Sequence, residues 1–206
     1  MPKALPAARP GVSSPLAFLM GAGFDALKVK TINLEIEASE RKRSLQIDQV
    51  TASPKAVHAG QPVELAVTLT GENGAEMVKT LRYTVPVGAP AGTLNFTVAD
   101  ATSSNLLDYQ QLAATAPKSP TQLVSFLNSL RPNTNAYVRV WRTDPAFQVQ
   151  GQDLPDPPPS VGLILNKAQA AQGTWFPRGS KIDELQVQTG NVVVTGSKNV
   201  AVDVKE

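Results

Sequence analysis

Apolar residues occupy every second position between residues 63 and 69. Because successive side chains of a β-strand point to opposite faces, this alternation predicts a strand with one buried and one solvated face. Asn73-Gly74 follows, a pair that favours the positive backbone angles of a tight hairpin turn, and apolar residues return at Leu81, Tyr83 and Val85. The pattern therefore predicts a β-hairpin in the first half of the chain.

The same alternation recurs in short segments bounded by turn residues. It is found at 27–36, with a change of phase near Thr31 that suggests a bulge, and at 45–47, 94–98, 136–142, 185–187 and 200–204. The apolar run 161–165 suits a buried strand, and the valines at 192–194 suit a further short strand. Glycine and proline supply 14 and 17 of the 206 residues and mark the turns. Short strands at this spacing are typical of an immunoglobulin-like sandwich, so we predict a mainly β fold, an Ig-like β-sandwich.

A helical insertion interrupts the strands. Residues 103–113 are predicted to form a short helix. A second helix has a capping pattern at Ser119, with Pro120 at its first position and Gln122 three residues after the cap, and Pro132 ends it. Its apolar residues are spaced i, i+3, i+4 and i+7, at Leu123, Phe126, Leu127 and Leu130. This stripe predicts a structural helix that packs on a core.

Three segments follow from this pattern. Residues 1–26 are predicted to be a proline-rich tail or linker, and residues 27–101 an Ig-like β-sandwich. Residues 102–206 contain the helical insertion and then C-terminal strands, which either pack on the same core or form a small second lobe. Four prolines among the first 15 residues disfavour a signal-peptide helix, and no apolar run approaches the roughly 18 to 20 residues that a transmembrane helix needs.

Composition excludes several kinds of chemistry. The formal net charge of +2 gives no support for a nucleic-acid partner, and the lack of cysteine excludes disulfides and thiolate catalysis. His58 is the one histidine, so a metal site would depend on oxygen ligands, and no carboxylate spacing resembles a calcium loop. We expect no metal and no cofactor. We interpret His58 as a turn residue rather than a catalytic base, because no partner is evident for it.

An aromatic and basic pattern marks the strand near residue 140. A period of two places Tyr137, Arg139 and Trp141 on one face, where Arg139 would lie between two rings and make cation-π contacts. Trp175 and Phe176 are expected in a loop. These five residues are the candidate binding residues. The competing and favoured interpretation for the strand is packing, with the capped helix just upstream covering its aromatic face.

Three stretches carry a family resemblance. Residues 123–131, 136–142 and the proline-dense 151–161 resemble the region downstream of the peptidase domain in bacterial proteins of the SpoIVB-type serine peptidase family. Residues 45–98 and the ending from Val194 onward are similar as well. The family's Gly-Met-Ser-Gly-Ser-Pro loop, which carries the nucleophile, is not found here. The nearest string, at 11–15, lacks its second glycine, so no catalytic residue is transferred.

The resemblance implies a non-catalytic accessory domain, periplasmic or extracellular, whose partner is a protein, either its own peptidase domain or another. Three alternatives stay open. A free-standing extracytoplasmic adhesion or carbohydrate-binding Ig-like module requires at least two exposed, roughly coplanar rings among the candidate binding residues. An enzyme requires His58 or a lysine beside a serine in a pocket. Peptide capture of the PDZ kind requires a groove between the capped helix and a sheet edge.

Overall fold

The computed structural model describes residues 43–206 except 73, 116–118, 144–146, 150–151, 155–180 and 191, together with the isolated positions 21, 30, 31 and 33. The predicted tail, most of the alternating segment 27–36 and the apolar segment 161–165 lie outside the described residues. So do Trp175, Phe176 and the part of the proline-dense segment 151–161 that follows Leu154.

The described strands form two sheets and a small hairpin. They are β1 (Ser44–Ser53), β2 (Ala56–His58), β3 (Pro62–Gly71), β4 (Glu76–Thr84), β5 (Gly92–Asp100), β6 (Asn135–Trp141), β7 (Phe147–Val149), β8 (Gln152–Leu154), β9 (Lys181–Gln188), β10 (Val193–Thr195) and β11 (Ser197–Lys205). The four-stranded sheet has the order β10-β1-β3-β4, the five-stranded sheet has the order β2-β11-β5-β6-β9, and β7 pairs with β8. The pairs β1–β10 and β2–β11 are parallel, and the others are antiparallel.

A core lies between the two sheets. The four-stranded sheet contributes Ile47, Val63, Leu65, Val67, Leu69 and Tyr83, and the five-stranded sheet contributes Leu94, Phe96, Val98, Val138, Val140, Val202 and Val204. The rings of Tyr83 and Phe96 meet edge to face with their centroids 5.4 Å apart, so they join one sheet to the other. Burial of these apolar side chains is the main favourable term in folding. The predicted mainly β sandwich is confirmed, and its Ig-like connectivity stays a prediction.

The C-terminal strands belong to both sheets. β10 lies beside β1 and β11 lies between β2 and β5, so segments more than 100 residues apart in sequence are neighbours. Val194, Val202 and Val204 share the core with the first strands. The described strands therefore close around a common interior.

Two helices connect β5 to β6: α1 (Ala101–Thr115) and α2 (Pro120–Asn128). The predicted cap of α2 is confirmed, since Ser119 Oγ accepts a hydrogen bond of 3.3 Å from the Gln122 amide. α1 starts two residues earlier than predicted because Asp100 caps it. One oxygen of the Asp100 carboxylate accepts from the Ser103 amide at 2.6 Å, and the other accepts from the Gly196 amide at 2.7 Å.

The predicted hairpin between β3 and β4 is confirmed with a longer turn. The connection between β3 and β4 is closed by a hydrogen bond of 2.8 Å from the Gly71 amide to the Ala75 carbonyl. Gly74 has a φ of 74°, a left-handed conformation that glycine adopts without the steric cost of a Cβ.

Candidate functional site

The predicted aromatic and basic residues of β6 lie on the outer face of the five-stranded sheet. Val138 and Val140 point into the core, as the period of two requires, and Tyr137, Arg139 and Trp141 point away from it. The neighbouring strands place Thr97 of β5 and Glu184 of β9 on either side of Arg139. Three of the five candidate binding residues are therefore on one face.

Tyr137 is buried on that outer face, with 6% of its surface exposed. Its hydroxyl donates a hydrogen bond of 3.1 Å to the Pro132 carbonyl. The guanidinium carbon of Arg131 lies 5.6 Å from the centre of its ring, a cation-π contact. The cation on this ring is therefore Arg131, whereas the sequence pattern predicted Arg139.

Arg131 is the centre of a cluster that we call the polar network, which consists of Asp108, Arg131, Arg139, Lys181 and Glu184. Its Nε and Nη2 atoms donate to the two oxygens of Glu184, each at 2.6 Å, and its Nη1 donates to Asp108 at 2.6 Å. Arg139 pairs with the other oxygen of Asp108, and Lys181 Nζ lies 3.2 Å from Glu184. The bidentate geometry makes Arg131 the best-held cation of the polar network.

The polar network keeps its two perturbed groups charged. Burial by itself would raise the pKa of Glu184, but the hydrogen bond from Arg131 and the charges of Lys181 and Arg131 outweigh it, so the pKa is lowered from its usual 4.5. Burial would likewise lower the pKa of Arg131, and its hydrogen bonds to Glu184 and Asp108 raise it instead. Opposite charges thus hold each other ionised across the neutral range.

The first helix, α1, supplies the side chains that fasten the helical layer to this face. Asp108 of α1 binds both arginines, and Asn105, one turn earlier, accepts a hydrogen bond from the Arg131 amide at 3.0 Å and donates to its carbonyl at 3.2 Å. The sequence pattern predicted that the capped helix would cover the aromatic face. Arg131, which follows α2, instead connects α1 to the sheet.

Trp141 lies further along β6 and is partly buried. Its Nε1 atom donates to Thr97 Oγ1 at 2.8 Å, and that hydroxyl donates onward to Asn199 at 2.9 Å. The ring is thus fixed on the sheet through its polar atom. Since Tyr137 is buried under Arg131, it cannot be one of the exposed rings that a sugar platform needs.

His58 ends β2 and is exposed. Its Nδ1 atom lies 2.7 Å from the Glu206 main-chain oxygen, and its amide donates to Gln61 at 2.9 Å. These contacts agree with a turn residue. The strand that follows the capped helix, β6, is flanked by β5 and β9, so it offers no free edge for the PDZ-like mode of peptide binding.

The outer face of the four-stranded sheet differs from that of the five-stranded sheet. One row across it consists of Thr195, Gln46, Thr70 and Glu76. An open groove of about 760 Å³ lies along this row and is also lined by Arg43, Asp48 and Glu72. In the described ranges, no cluster of three or more His, Cys, Asp or Glu side chains is arranged to hold a metal ion.

Comparison of the chain with protein-family models, with curated proteins and with solved structures finds no match. Neither of the helices α1 and α2 within the described ranges has the length and apolarity to cross a bilayer.

Sequence reasoning missed most of the polar network. Arg131 stood at the end of a helix, Asp108 within one and Glu184 in an edge strand, with no local motif to connect them. Their sequence separations of 23 and 53 residues leave no periodic signal. The one available hint was the alternation along β6, which placed Arg139 on the same face as two aromatic rings, where its charge would need an acidic partner.

Proposed function

We propose that the chain is a non-catalytic accessory module, with a binding or structural role, of a SpoIVB-type serine peptidase-like bacterial protein. The observation that carries this proposal is that the charged side chains of the polar network bind one another within the chain. Arg131 binds both Glu184 of the sheet and Asp108 of α1, so these charged groups are paired with one another and fasten α1 to the sheet. Charged groups held in this way serve the fold, which suits a module with a structural or binding role.

The proposed partner is a protein, and the family resemblance points to a peptidase domain outside the cytoplasm. The outer face of the four-stranded sheet is the surface we propose for contact, because the corresponding face of the other sheet already binds α1. Val78 lies on that surface, on the edge strand β4, with 59% of its area exposed and opposite Thr68 on the neighbouring strand. An exposed β-branched residue beside small polar ones is apolar area that a protein partner could cover.

The test is a binding measurement with the SpoIVB-type peptidase domain of the source organism. Isothermal titration calorimetry should give a saturable Kd, and Val78→Glu should weaken it at least tenfold, since a carboxylate would be desolvated in the interface. Val87→Glu is the matched control, because Val87 is 86% exposed in the loop between β4 and β5. Its Kd should stay within twofold of the unmodified chain.

Two other results would contradict the proposal. Hydrolysis of fluorogenic peptides by the purified chain, abolished by His58→Ala, would establish an enzyme instead. Glycan binding that is lost in Trp141→Ala, without binding to the peptidase domain, would favour the adhesion or carbohydrate-binding module.

A further inference from the structure

Arg142 directly follows β6 and continues the inward-facing series of Val138 and Val140. Its side chain therefore lies at the end of the sandwich, between the sheets, and only 1% of its surface is exposed. Its Nη2 atom donates to the Pro90 carbonyl at 2.6 Å. Its Nη1 atom is buried and has no hydrogen-bond partner in the part of the chain that the structure describes.

This environment is unusual for a guanidinium. Removing a cation from water is costly unless it is paired and hydrogen-bonded, and a buried N–H without an acceptor adds a further penalty. Arg131 and Arg139 both pair with carboxylates. Within the described ranges Arg142 has no carboxylate oxygen within 4.0 Å, and one neutral carbonyl is its acceptor.

The surrounding charges limit what would complete the site. The pKa of Tyr83 is raised, first by burial and then by the charge of Asp183, while the charge of Arg142 opposes the rise. The cation Arg142 and the anion Asp183 therefore both act on Tyr83, at the same end of the sandwich. A monoanion beside Nη1 would neutralise Arg142, whereas a dianion would leave a net negative charge in a buried site.

We propose that Arg142 is the recognition group of a carboxylate-binding site at this end of the sandwich. One carboxylate oxygen accepts from Nη1, while Nη2 keeps its bond to Pro90. The carboxylate belongs to a separate molecule. This site does not depend on the proposed accessory role, because its occupant is a single carboxylate and not the peptidase domain.

Formate, the smallest carboxylate, is the probe. Thermal unfolding is measured in sodium formate and in sodium chloride at equal ionic strength. The unmodified chain should gain roughly 3–6 °C in Tm once formate reaches ten times its Kd. Arg142→Lys, which keeps the charge but loses the guanidinium geometry, should lose this gain. Arg82→Lys, on the exposed sheet face, should keep it.

The proposal is overturned if formate acts equally on the unmodified protein and on the Arg142→Lys variant, or if formate does not change Tm relative to sodium chloride. Should Arg142→Lys not fold, the comparison of sodium formate with sodium chloride on the unmodified chain and on Arg82→Lys decides the matter.

Discussion

The two sheets have similar inward faces and very different outward faces. Both turn valine, leucine and isoleucine toward the common core. On the outer side, the five-stranded sheet carries Tyr137, Arg139 and Trp141, each held by a partner within the chain. The four-stranded sheet carries threonine, glutamine and the exposed Val78 on its outer side. The same alternation thus produces a face that needs a covering layer and a face that water can solvate.

The difference between the two outer faces indicates which outward-facing residues contribute to stability. Long charged or aromatic side chains contribute little to stability when they are exposed to water, because holding them in one rotamer costs entropy that offsets their contacts. α1 removes that limit on the five-stranded sheet by bringing Asp108 close to two arginines at once. The comparison can be tested by making the same substitution on each face.

The largest contrast is expected for arginine. Arg131→Met should lower the free energy of unfolding by about 3 kcal/mol, because it leaves the partly buried Glu184 and Asp108 without their shared cation. Arg82→Met on the exposed face should cost about 0.5 kcal/mol, since it faces Glu64 across the strands in full contact with water. Urea denaturation of both variants measures the two losses. Equal losses would show that the polar network does not stabilise the fold.

Glutamate gives the next contrast, and it depends on pH. Glu184→Gln should cost about 2 kcal/mol at pH 7, the usual range for a hydrogen bond to a charged group. Because the folded pKa of Glu184 is lowered, its contribution is present above the ordinary value of 4.5 and is lost as pH falls through the folded value. The stability gap between the unmodified chain and Glu184→Gln should therefore narrow from pH 7 to pH 3.

The control is Glu76→Gln, at the groove of the four-stranded sheet. At pH 7 its stability should stay within about 0.5 kcal/mol of that of the unmodified chain, because Glu76 is exposed. A gap for Glu184→Gln that stays constant or widens in acid would contradict the direction of the pKa shift.

Threonine gives the smallest contrast. Thr97→Val removes the acceptor of the Trp141 Nε1 proton and should cost about 1 kcal/mol. Thr68→Val, on the outer face of β3, should be neutral or slightly stabilising, because valine favours strands. Chemical denaturation resolves this difference if the two proteins are measured side by side. A loss for Thr68→Val as large as that for Thr97→Val would mean that the exposed face is also covered.

Local sequence patterns predicted the helices and strands themselves more accurately than they predicted which of these elements are neighbours in space. The alternation at 63–69 and the cap at Ser119 are local features, and both were confirmed. The strand order depends on pairs such as Ser44–Val193 and Val57–Val204, which are about 150 residues apart. Alternation identifies the buried face of a strand but carries no information about which strand or helix meets it.

The candidate site shows the same limit. Alternation placed Tyr137, Arg139 and Trp141 on one face, but it did not identify Asp108 or Arg131 as their partners. The alternation could have placed Arg142 on the inward face, because this residue follows Val138 and Val140 at intervals of two. An arginine at an inward position was the available signal that this end of the sandwich is chemically different.

The position of β11 has a consequence for how the chain is made. This strand fills the space between β2 and β5, so those two early strands lack their shared neighbour until residues 197–205 have been synthesised. Contacts of such long range slow folding, and they leave apolar strand edges open on the ribosome in the meantime. The five-stranded sheet therefore cannot be completed during synthesis before β11 has emerged.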